Sequence, residues 1–300
     1  MLNEPTMEKL RGLHLETFAD AWKEQGSQAD VQSLSFDERL GMLVEAEWMA
    51  RENRRLERLL REARLKLGAA CMEDIEDGSS RGLERSVMRQ LTQCGWVKEH
   101  QNVVITGATG TGKTYVACAL AQGACRKGYR AIYRRASRLT DELTLARAEG
   151  TYLRMLARLE RVDVFVIDDW GHVPLKDQDR RDLLEILDDR FGTRSTIMTS
   201  QMPISKWHDQ IGDPANADAI CDRILHNAHK LVEKGSGMDI GQCGWGKVSV
   251  GMARALRIEY AGACYHVINR VVERRRIFSE QRDFEKFLRP RFRLCGWRRT

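Results

Sequence analysis

The chain has 300 residues, 42% of them hydrophobic and 31% charged, which is typical of a globular protein with one or two domains. Its net charge of +6 comes from residues 251–300, where thirteen Lys and Arg face five Asp and Glu, a net of +8 against −2 elsewhere. No apolar run approaches the ~20 residues that cross a bilayer, and the N-terminus lacks the features of a secretory signal, so we expect a cytoplasmic protein.

Residues 1–66 are predicted to form a helical N-terminal domain that contacts DNA or a partner. The segment Ser35–Glu38 fits a capping box, and apolar residues follow it at helical intervals. The same helix carries closely spaced arginines at Arg51, Arg54, Arg55, Arg58, Arg61 and Arg64. Their spacing places several guanidinium groups on one face, where they can follow phosphates. Alternatively the face is a solvated surface, on which Glu47, Glu57 and Glu62 pair with arginines one turn away.

Strands alternate with helices in the region that follows a predicted helical connector at residues 67–100. The predicted strands are Asn102–Thr106, Ala131–Arg134, Asp163–Ile167 and Ser195–Thr199. The predicted helices are Tyr115–Lys127, Ser137–Glu149 and Asp177–Phe191. Such alternation indicates an α/β fold with a parallel sheet, which we expect to occupy residues 101–238.

A phosphate-binding loop is predicted between the first strand and its helix, because the sequence there has the full G-x-x-x-x-G-K-[ST] pattern. Its residues are Gly107, Ala108, Thr109, Gly110, Thr111, Gly112, Lys113 and Thr114. The glycines let successive backbone N–H groups converge on phosphate oxygens, at the positive end of the helix. We therefore expect ATP here, with Lys113 on the β- and γ-phosphates and the Thr114 hydroxyl on Mg²⁺.

Two acids end the strand Asp163–Ile167, which we expect to lie beside the strand of the phosphate-binding loop. Asp168 is the predicted Mg²⁺ ligand, and Asp169 is the predicted general base that polarises the attacking water. The alternative is that the two acids cap the next helix, although Trp170 and Gly171 delay its start.

The eight cysteines include no C-x-x-C pair, which together with the missing export signal predicts reduced thiols and no zinc site. Cys118 and Cys125 lie seven apart in a predicted helix. Cysteine in such a position usually behaves as a small core residue, so we expect both to be buried.

Together these motifs resemble the IstB-type transposition helper ATPases of bacterial insertion sequences, an AAA+ family similar to the DnaC helicase loaders. The resemblance covers residues 35–238. Besides the phosphate-binding loop and the acidic strand, it rests on Leu34–Phe36, Trp48, Glu52–Leu56, Ser80–Leu83, Glu99–Val103, Arg181–Glu185, Thr199–Pro203 and Asp218–His229.

The resemblance implies an AAA+ ATPase that binds double-stranded DNA with little sequence preference and acts with a separate transposase. It implies that Ser200 or Gln201 is a sensor of the γ-phosphate. It also implies that Arg223 is an arginine finger presented to ATP in a neighbouring subunit, so that hydrolysis requires a homo-oligomer. The alternative for Asp222 and Arg223 is an ordinary surface ion pair.

After residue 238 the sequence departs from the family. Asp239 stands where family members carry an arginine that can act as a second sensor. Residues 239–251 are predicted to be a linker, and residues 252–300 resemble the opening of REP-associated tyrosine transposases. The metal-binding histidine pair and the nucleophilic tyrosine of those enzymes do not follow, which predicts an inactive fragment acquired by gene fusion. The alternative is a basic disordered tail.

The sequence therefore predicts an ATPase that acts on DNA as an accessory to transposition. Two alternatives stay open at this point. One is a helicase loader of the same fold, and the other is a decayed DNA-binding remnant that holds nucleotide without turnover.

Overall fold

The computed structural model describes most of the chain up to the end of the sheet, at residues 4–28, 31, 33–75, 83–172 and 175–233. The predicted linker at 239–251, the transposase-like fragment at 252–300 and Asp239 all lie outside the described residues. None of the described helices is long and apolar enough to cross a membrane.

The N-terminal region consists of the helices α1 (Glu4–Gly12), α2 (Glu16–Gln25) and α3 (Phe36–Ala63). Ser35 caps α3, since its hydroxyl accepts a hydrogen bond from the backbone N–H of Glu38. The Glu38 carboxylate accepts one from the backbone N–H of Ser35 in return. The predicted capping box is therefore confirmed.

The two halves of α3 have different surroundings. Its C-terminal half buries Leu56, Leu59 and Ala63 in the core against one face of the sheet. In its N-terminal half, which packs on α2, Val44 and Trp48 are 55% and 56% exposed. The helical periodicity of the sequence thus predicts the helix, but it does not identify which apolar side chains are buried.

A connector leads from α3 to the sheet through a 3₁₀ turn (Met72–Asp74), α4 (Arg85–Thr92) and α5 (Gly95–Lys98). Trp96 is buried, and its indole N–H donates to the carbonyl of Leu91. The connector is therefore held to the same core as the C-terminal half of α3.

A five-stranded parallel sheet forms the centre of the described chain, and helices cover both of its faces. The strands are β1 (Asn102–Gly107), β2 (Ala131–Arg135), β3 (Val164–Trp170), β4 (Ser195–Ser200) and β5 (Ala228–Glu233). The helices are α6 (Lys113–Arg126), α7 (Ala136–Ala148), α8 (Tyr152–Glu160), α9 (Asp177–Arg190), α10 (Trp207–Ile211) and α11 (Pro214–Leu225). The predicted α/β fold with a parallel sheet behind N-terminal helices is confirmed.

The strand order is β2-β3-β4-β1-β5. The expectation that the acidic strand lies beside the strand of the phosphate-binding loop is wrong, because β4 is inserted between them. Met198 of β4 pairs with Val104 of β1 on one side and with Ile167 of β3 on the other. The last residues of β4 therefore lie between the loop and the two acids.

The sequence pattern does not predict α8, α11 or the edge strand β5. Only two residues of β5, Leu231 and Glu233, are buried, so it lacks the continuous apolar run of the central strands. The start of α11 does have a local signal, since Asp213 accepts a hydrogen bond from the backbone N–H of Asn216 and Pro214 occupies the first turn.

Two hydrophobic cores lie on opposite faces of the sheet. The C-terminal half of α3, the connector and α6 pack on one face, whereas α7, α8, α9 and α11 pack on the other. Cys118 and Cys125 of α6 are buried, as predicted. The cysteines that the structure describes are all free and buried, at Cys71, Cys94, Cys118, Cys125 and Cys221.

Candidate nucleotide-binding site

The loop between β1 and α6 depends on glycine at three positions. Gly110 and Gly112 have φ angles of +84° and +109°, in the left-handed region that other residues rarely adopt. At Gly107 a Cβ atom would lie 2.7 Å from the carbonyl oxygen of Glu233, the last residue of β5. Gly112 caps α6, so the helix begins at Lys113 and its N-terminal N–H groups lie in the loop.

Lys113 lies inside this loop and is only 7% exposed. Its Nζ donates to the carbonyl oxygen of Ala108 at 2.5 Å, so the side chain folds back across the loop. Burial lowers the pKa of Lys113, and the charges of Glu233, Asp169 and Asp168 oppose that shift. A desolvated cation is therefore held where the loop would enclose phosphate oxygens.

Thr114 and Asp168 are brought together, although 54 residues separate them in sequence. The Thr114 hydroxyl lies 2.9 Å and 3.1 Å from the two carboxylate oxygens of Asp168, which is 1% exposed. A hydroxyl and a carboxylate are oxygen ligands of the kind that Mg²⁺ binds beside nucleotide phosphates. The two predicted Mg²⁺ ligands thus form one donor set that fits this ion.

Two further side chains orient the Asp168 carboxylate. The hydroxyl of Tyr133 on β2 donates to Oδ2 at 2.6 Å, and the hydroxyl of Thr199 on β4 donates to Oδ1 at 2.6 Å. Burial, followed by the hydrogen bond and charge of Asp168, raises the pKa of Tyr133, so the phenol keeps its proton. Neither residue is predicted from the sequence, because only the strand order places both beside Asp168.

Asp169 has a positive φ of +61° and a carboxylate whose two oxygens are both occupied. Oδ1 accepts from Nε2 of Gln201 at 3.0 Å, and Oδ2 accepts from two guanidinium nitrogens of Arg135 at 3.0 Å and 2.5 Å. Burial raises the pKa of Asp169, but the hydrogen bonds and charge of Arg135, with Gln201, outweigh it and lower the pKa overall. These contacts favour the ionised form of Asp169, and each of its oxygens already accepts a hydrogen bond from a neighbouring side chain.

The two candidate sensors have different environments. Ser200 is fully buried, and its hydroxyl donates to the carbonyl of Trp170 at 2.8 Å. Gln201 is exposed, and its Oε1 accepts from the hydroxyl of Thr109 in the phosphate-binding loop at 2.8 Å. Because Nε2 of Gln201 also donates to Asp169, the side chain of Gln201, and not that of Ser200, bridges the loop and the acid by hydrogen bonds.

Neither acid caps a helix. The next helix, α9, begins at Asp177, beyond the end of β3 at Trp170. At its start the backbone N–H of Lys176 donates to the carboxylate of Asp179. The capping alternative for Asp168 and Asp169 is therefore wrong, because both side chains are engaged at the carboxyl edge of the sheet.

Arg223 lies at the amino ends of the strands, whereas the phosphate-binding loop lies at their carboxyl ends. Its backbone carbonyl accepts from the side-chain amide of Asn102, the first residue of β1, whereas the loop follows the last residue. A strand of this length spans roughly 17 Å, too far for an arginine to reach its own loop. In this chain the guanidinium instead pairs with Asp188 at 2.7 Å and Asp222 at 2.8 Å.

Comparison with known proteins places this site in a family. The matching family model is that of IstB-like ATP binding proteins, over residues 8–243. An insertion sequence ATP-binding protein of Sinorhizobium fredii, y4pL, is 46% identical over 77% of this chain and 94% of its own length. The IS1162 ATP-binding protein of Pseudomonas fluorescens is 44% identical over 68% of this chain and 89% of its own. The IS21 ATP-binding protein of Pseudomonas aeruginosa is 30% identical over 77% and 86%.

Proposed function

The chain belongs to the family of IstB-like ATP-binding proteins, and from this we propose that it is an ATPase that binds DNA and assists the transposase of an insertion sequence. The observation that carries the proposal is the contact between Thr114 and Asp168. It joins the phosphate-binding loop to the acidic strand and so brings together the groups that would hold the phosphates and the metal. The similar proteins named above are all ATP-binding proteins of insertion sequences.

The loop Gly107–Thr114 holds ATP through its backbone N–H groups and through Lys113, whose bond to the Ala108 carbonyl gives way to a phosphate oxygen. Thr114 and Asp168 would hold Mg²⁺, which when bound offsets the negative charge on the phosphates. Tyr133 and Thr199 keep the Asp168 carboxylate turned towards Thr114.

Asp169 takes a proton from the attacking water once one of its oxygens is released. Gln201 is the side chain that links this release to the nucleotide, because it bonds both Thr109 of the loop and Asp169. A phosphate that binds the loop competes for the Thr109 hydroxyl. We therefore assign the sensor role to Gln201 in preference to Ser200.

Arg223 acts on ATP in a neighbouring subunit. Its position at the amino edge of the sheet supports this role, since it cannot contact the nucleotide of its own chain. Its exposed ion pairs with Asp188 and Asp222 are of the weak kind that a stronger phosphate contact can replace. Hydrolysis accordingly requires a homo-oligomer.

The partners that we propose are double-stranded DNA and the transposase encoded by the same insertion sequence. Arg51 and Arg54 pair with Glu47, as the surface alternative predicts. The support for contact with a polyanion therefore comes from the exposed Arg58 and Arg61 of α3 and from the basic charge of residues 251–300. The insertion sequence origin of the similar proteins supports the transposase. Neither the described site nor these relatives favour the helicase-loader alternative.

We also propose that residues 252–300 are a transposase-like segment of separate origin, joined to the ATPase through the linker 239–251. The end of the family match at residue 243 supports a separate origin for the segment beyond it. Limited proteolysis should cut first between Met238 and Met252 and leave a stable product of about 27 kDa. A tail that resists protease as long as the rest of the chain would contradict this division.

The direct test of the proposed function is ATP hydrolysis by the purified full chain, with and without duplex DNA. We expect DNA to raise the rate, and we expect Lys113→Ala to abolish hydrolysis because the phosphates lose their buried cation. The matched control is Lys127→Ala, which removes the same charge just beyond the far end of α6. A wild-type rate no higher than that of Lys113→Ala would instead indicate the decayed remnant.

A further inference from the structure

A second concentration of arginines lies far from the nucleotide site, in a groove at the free edge of β2. The groove has a volume of about 450 Å³, and its charged lining residues are Glu62, Arg130, Arg154, Arg158 and Arg161. All four arginines are exposed, and none of their guanidinium groups pairs with a carboxylate in the part of the chain that the structure describes. We call this surface the β2-edge groove.

The sheet topology creates this groove. Among the described strands β2 pairs only with β3, so no described strand lies on its other side. Leu59 of α3 packs on one face of the sheet, and Leu156 of α8 packs on the other. The groove therefore runs over the sheet edge, between the end of α3 and α8, where residues from three separate segments of the sequence meet.

The arginines form a strip that can contact more than one charge at a time. Arg154, Arg158 and Arg161 are spaced four and three residues apart, so they share one face of α8 and its end, over about 10 Å. On α3, Arg58 lies one turn before Glu62, so the two residues are on the same side of that helix. Along a duplex, each strand presents one phosphate per about 3.4 Å of axis, so α8 alone spans several phosphates.

The chemistry of the lining favours nucleic acid over a protein partner. The anchors of a protein interface include aromatic residues as well as arginine, and among the described residues no aromatic side chain lines this groove beside the arginines. Its apolar lining residues, such as Ile132 and Val162, are themselves buried. Apart from the carboxylate of Glu62, the charged groups that it presents to solvent are guanidinium groups, whose fork of donors matches phosphate oxygens.

We propose that the β2-edge groove binds the phosphate backbone of duplex DNA, through Arg130, Arg154, Arg158 and Arg161 with Arg58 beside them. This inference rests on the proposed binding of DNA. It adds where on the protein the duplex binds, which the arginine face of α3 does not by itself specify. Contacts of this kind carry no sequence information, so the groove gives affinity without base preference.

The test measures the affinity of the full chain for a labelled 30-base-pair duplex. Binding is detected by the anisotropy of the label at a series of salt concentrations. For the double substitution Arg154→Ala and Arg158→Ala, we expect the affinity at low salt to fall on the order of tenfold. We also expect the slope of log affinity against log salt to flatten by about 0.9 for each phosphate that the variant no longer neutralises. The matched control is Arg89→Ala with Arg181→Ala, which removes two exposed arginines from α4 and α9.

A second variant, Arg154→Lys with Arg158→Lys, separates loss of charge from damage to α8. It keeps both charges and should retain most of the salt slope. Urea unfolding of each variant checks that the fold is intact.

Four results would overturn the inference, and one of them would also contradict the proposed binding of DNA. If the wild-type chain binds the duplex and the alanine pair binds it equally well, the groove is not the DNA surface, although the proposed function stands. The same holds if the control pair weakens binding as much. Loss of transposase binding with DNA binding intact would make the groove a protein-docking site. If the wild-type chain binds no duplex at all, the proposed DNA partnership itself is wrong.

Discussion

At the scale of single residues, the site is controlled by what holds its two carboxylates. Asp168 accepts hydrogen bonds from Thr114, Tyr133 and Thr199, which aim it at the predicted metal position. Asp169, one residue later, is held by a cation instead. Adjacent acids on one strand thus have different surroundings, because their side chains leave the strand in different directions and meet different neighbours.

The ion pair between Arg135 and Asp169 gives a prediction for pH dependence. Removing the guanidinium in Arg135→Ala removes the largest influence that lowers the pKa of Asp169, so that pKa rises. A general base works only when it is ionised, and the carboxylate of the variant becomes protonated at a higher pH than in the wild type. We therefore expect the acidic limb of the pH profile of ATP hydrolysis to move to higher pH.

The measurement is the hydrolysis rate at saturating ATP across the pH range over which the wild-type rate falls. Arg138→Ala is the matched control, because Arg138 is an exposed arginine one turn along α7. An acidic limb that stays in place in Arg135→Ala would show that Asp169 is not the group that titrates.

At the scale of secondary structure elements, a buried cation joins the end of α9 to the sheet. Arg190 is 1% exposed and donates to the carbonyl oxygens of Leu159, Val162 and Ser195. Burial lowers the pKa of Arg190 to about 9, which still leaves the guanidinium charged at neutral pH. One side chain thus satisfies backbone acceptors at the end of α8, before β3 and at the start of β4.

We predict that Arg190→Met destabilises the protein by on the order of 3 kcal/mol, because three buried carbonyl oxygens lose their donor while the volume is largely kept. The measurement is the free energy of unfolding from urea titration. Arg181→Met on the exposed side of the same helix is the control and should change it by less than about 0.5 kcal/mol. Equal effects of the two substitutions would show that the buried cation has no special role.

At the scale of the whole molecule, the parallel sheet separates the groups that a single ATP needs. The carboxyl ends of β1, β3 and β4 carry the loop, both acids and Gln201, whereas Arg223 is held at the amino end of β1. If Arg223 is the finger that we propose, a complete set would form only where the amino end of the strands in one subunit meets the carboxyl end in another. Such an interface joins unlike surfaces and can close into a ring or extend into a filament.

This arrangement predicts that two inactive variants restore activity when they are mixed. Lys113→Ala cannot hold ATP but keeps its finger, and Arg223→Ala holds ATP but lacks the finger. In a randomly mixed assembly about a quarter of the interfaces pair an intact loop with an intact finger, so we expect about a quarter of the wild-type rate.

The readout is DNA-stimulated ATP hydrolysis by each variant alone and by the mixture at the same total concentration. Lys113→Ala mixed with the double variant Lys113→Ala, Arg223→Ala is the control and should stay inactive. A mixture of the two single variants no faster than its components would exclude an arginine finger supplied by a neighbour.

The loop Gly107–Thr114, Asp168 and the capping box at Ser35 could be predicted from the sequence alone, as could the alternation of strands and helices. Each is a pattern of consecutive or regularly spaced residues, and its physical basis, such as convergent N–H groups or a strand that ends in an acid, is contained within that short segment. The family resemblance rests on the same local segments.

Only the tertiary structure decided which strands are neighbours, and with them the contacts of Tyr133, Thr199, Arg135 and Gln201 with the two acids. Parallel strands are joined by long crossovers, so residues that touch at the sheet edge lie tens of positions apart, and no local pattern records the insertion of β4 beside β1. The same reason hid the β2-edge groove, whose arginines come from segments that meet only when the sheet has formed.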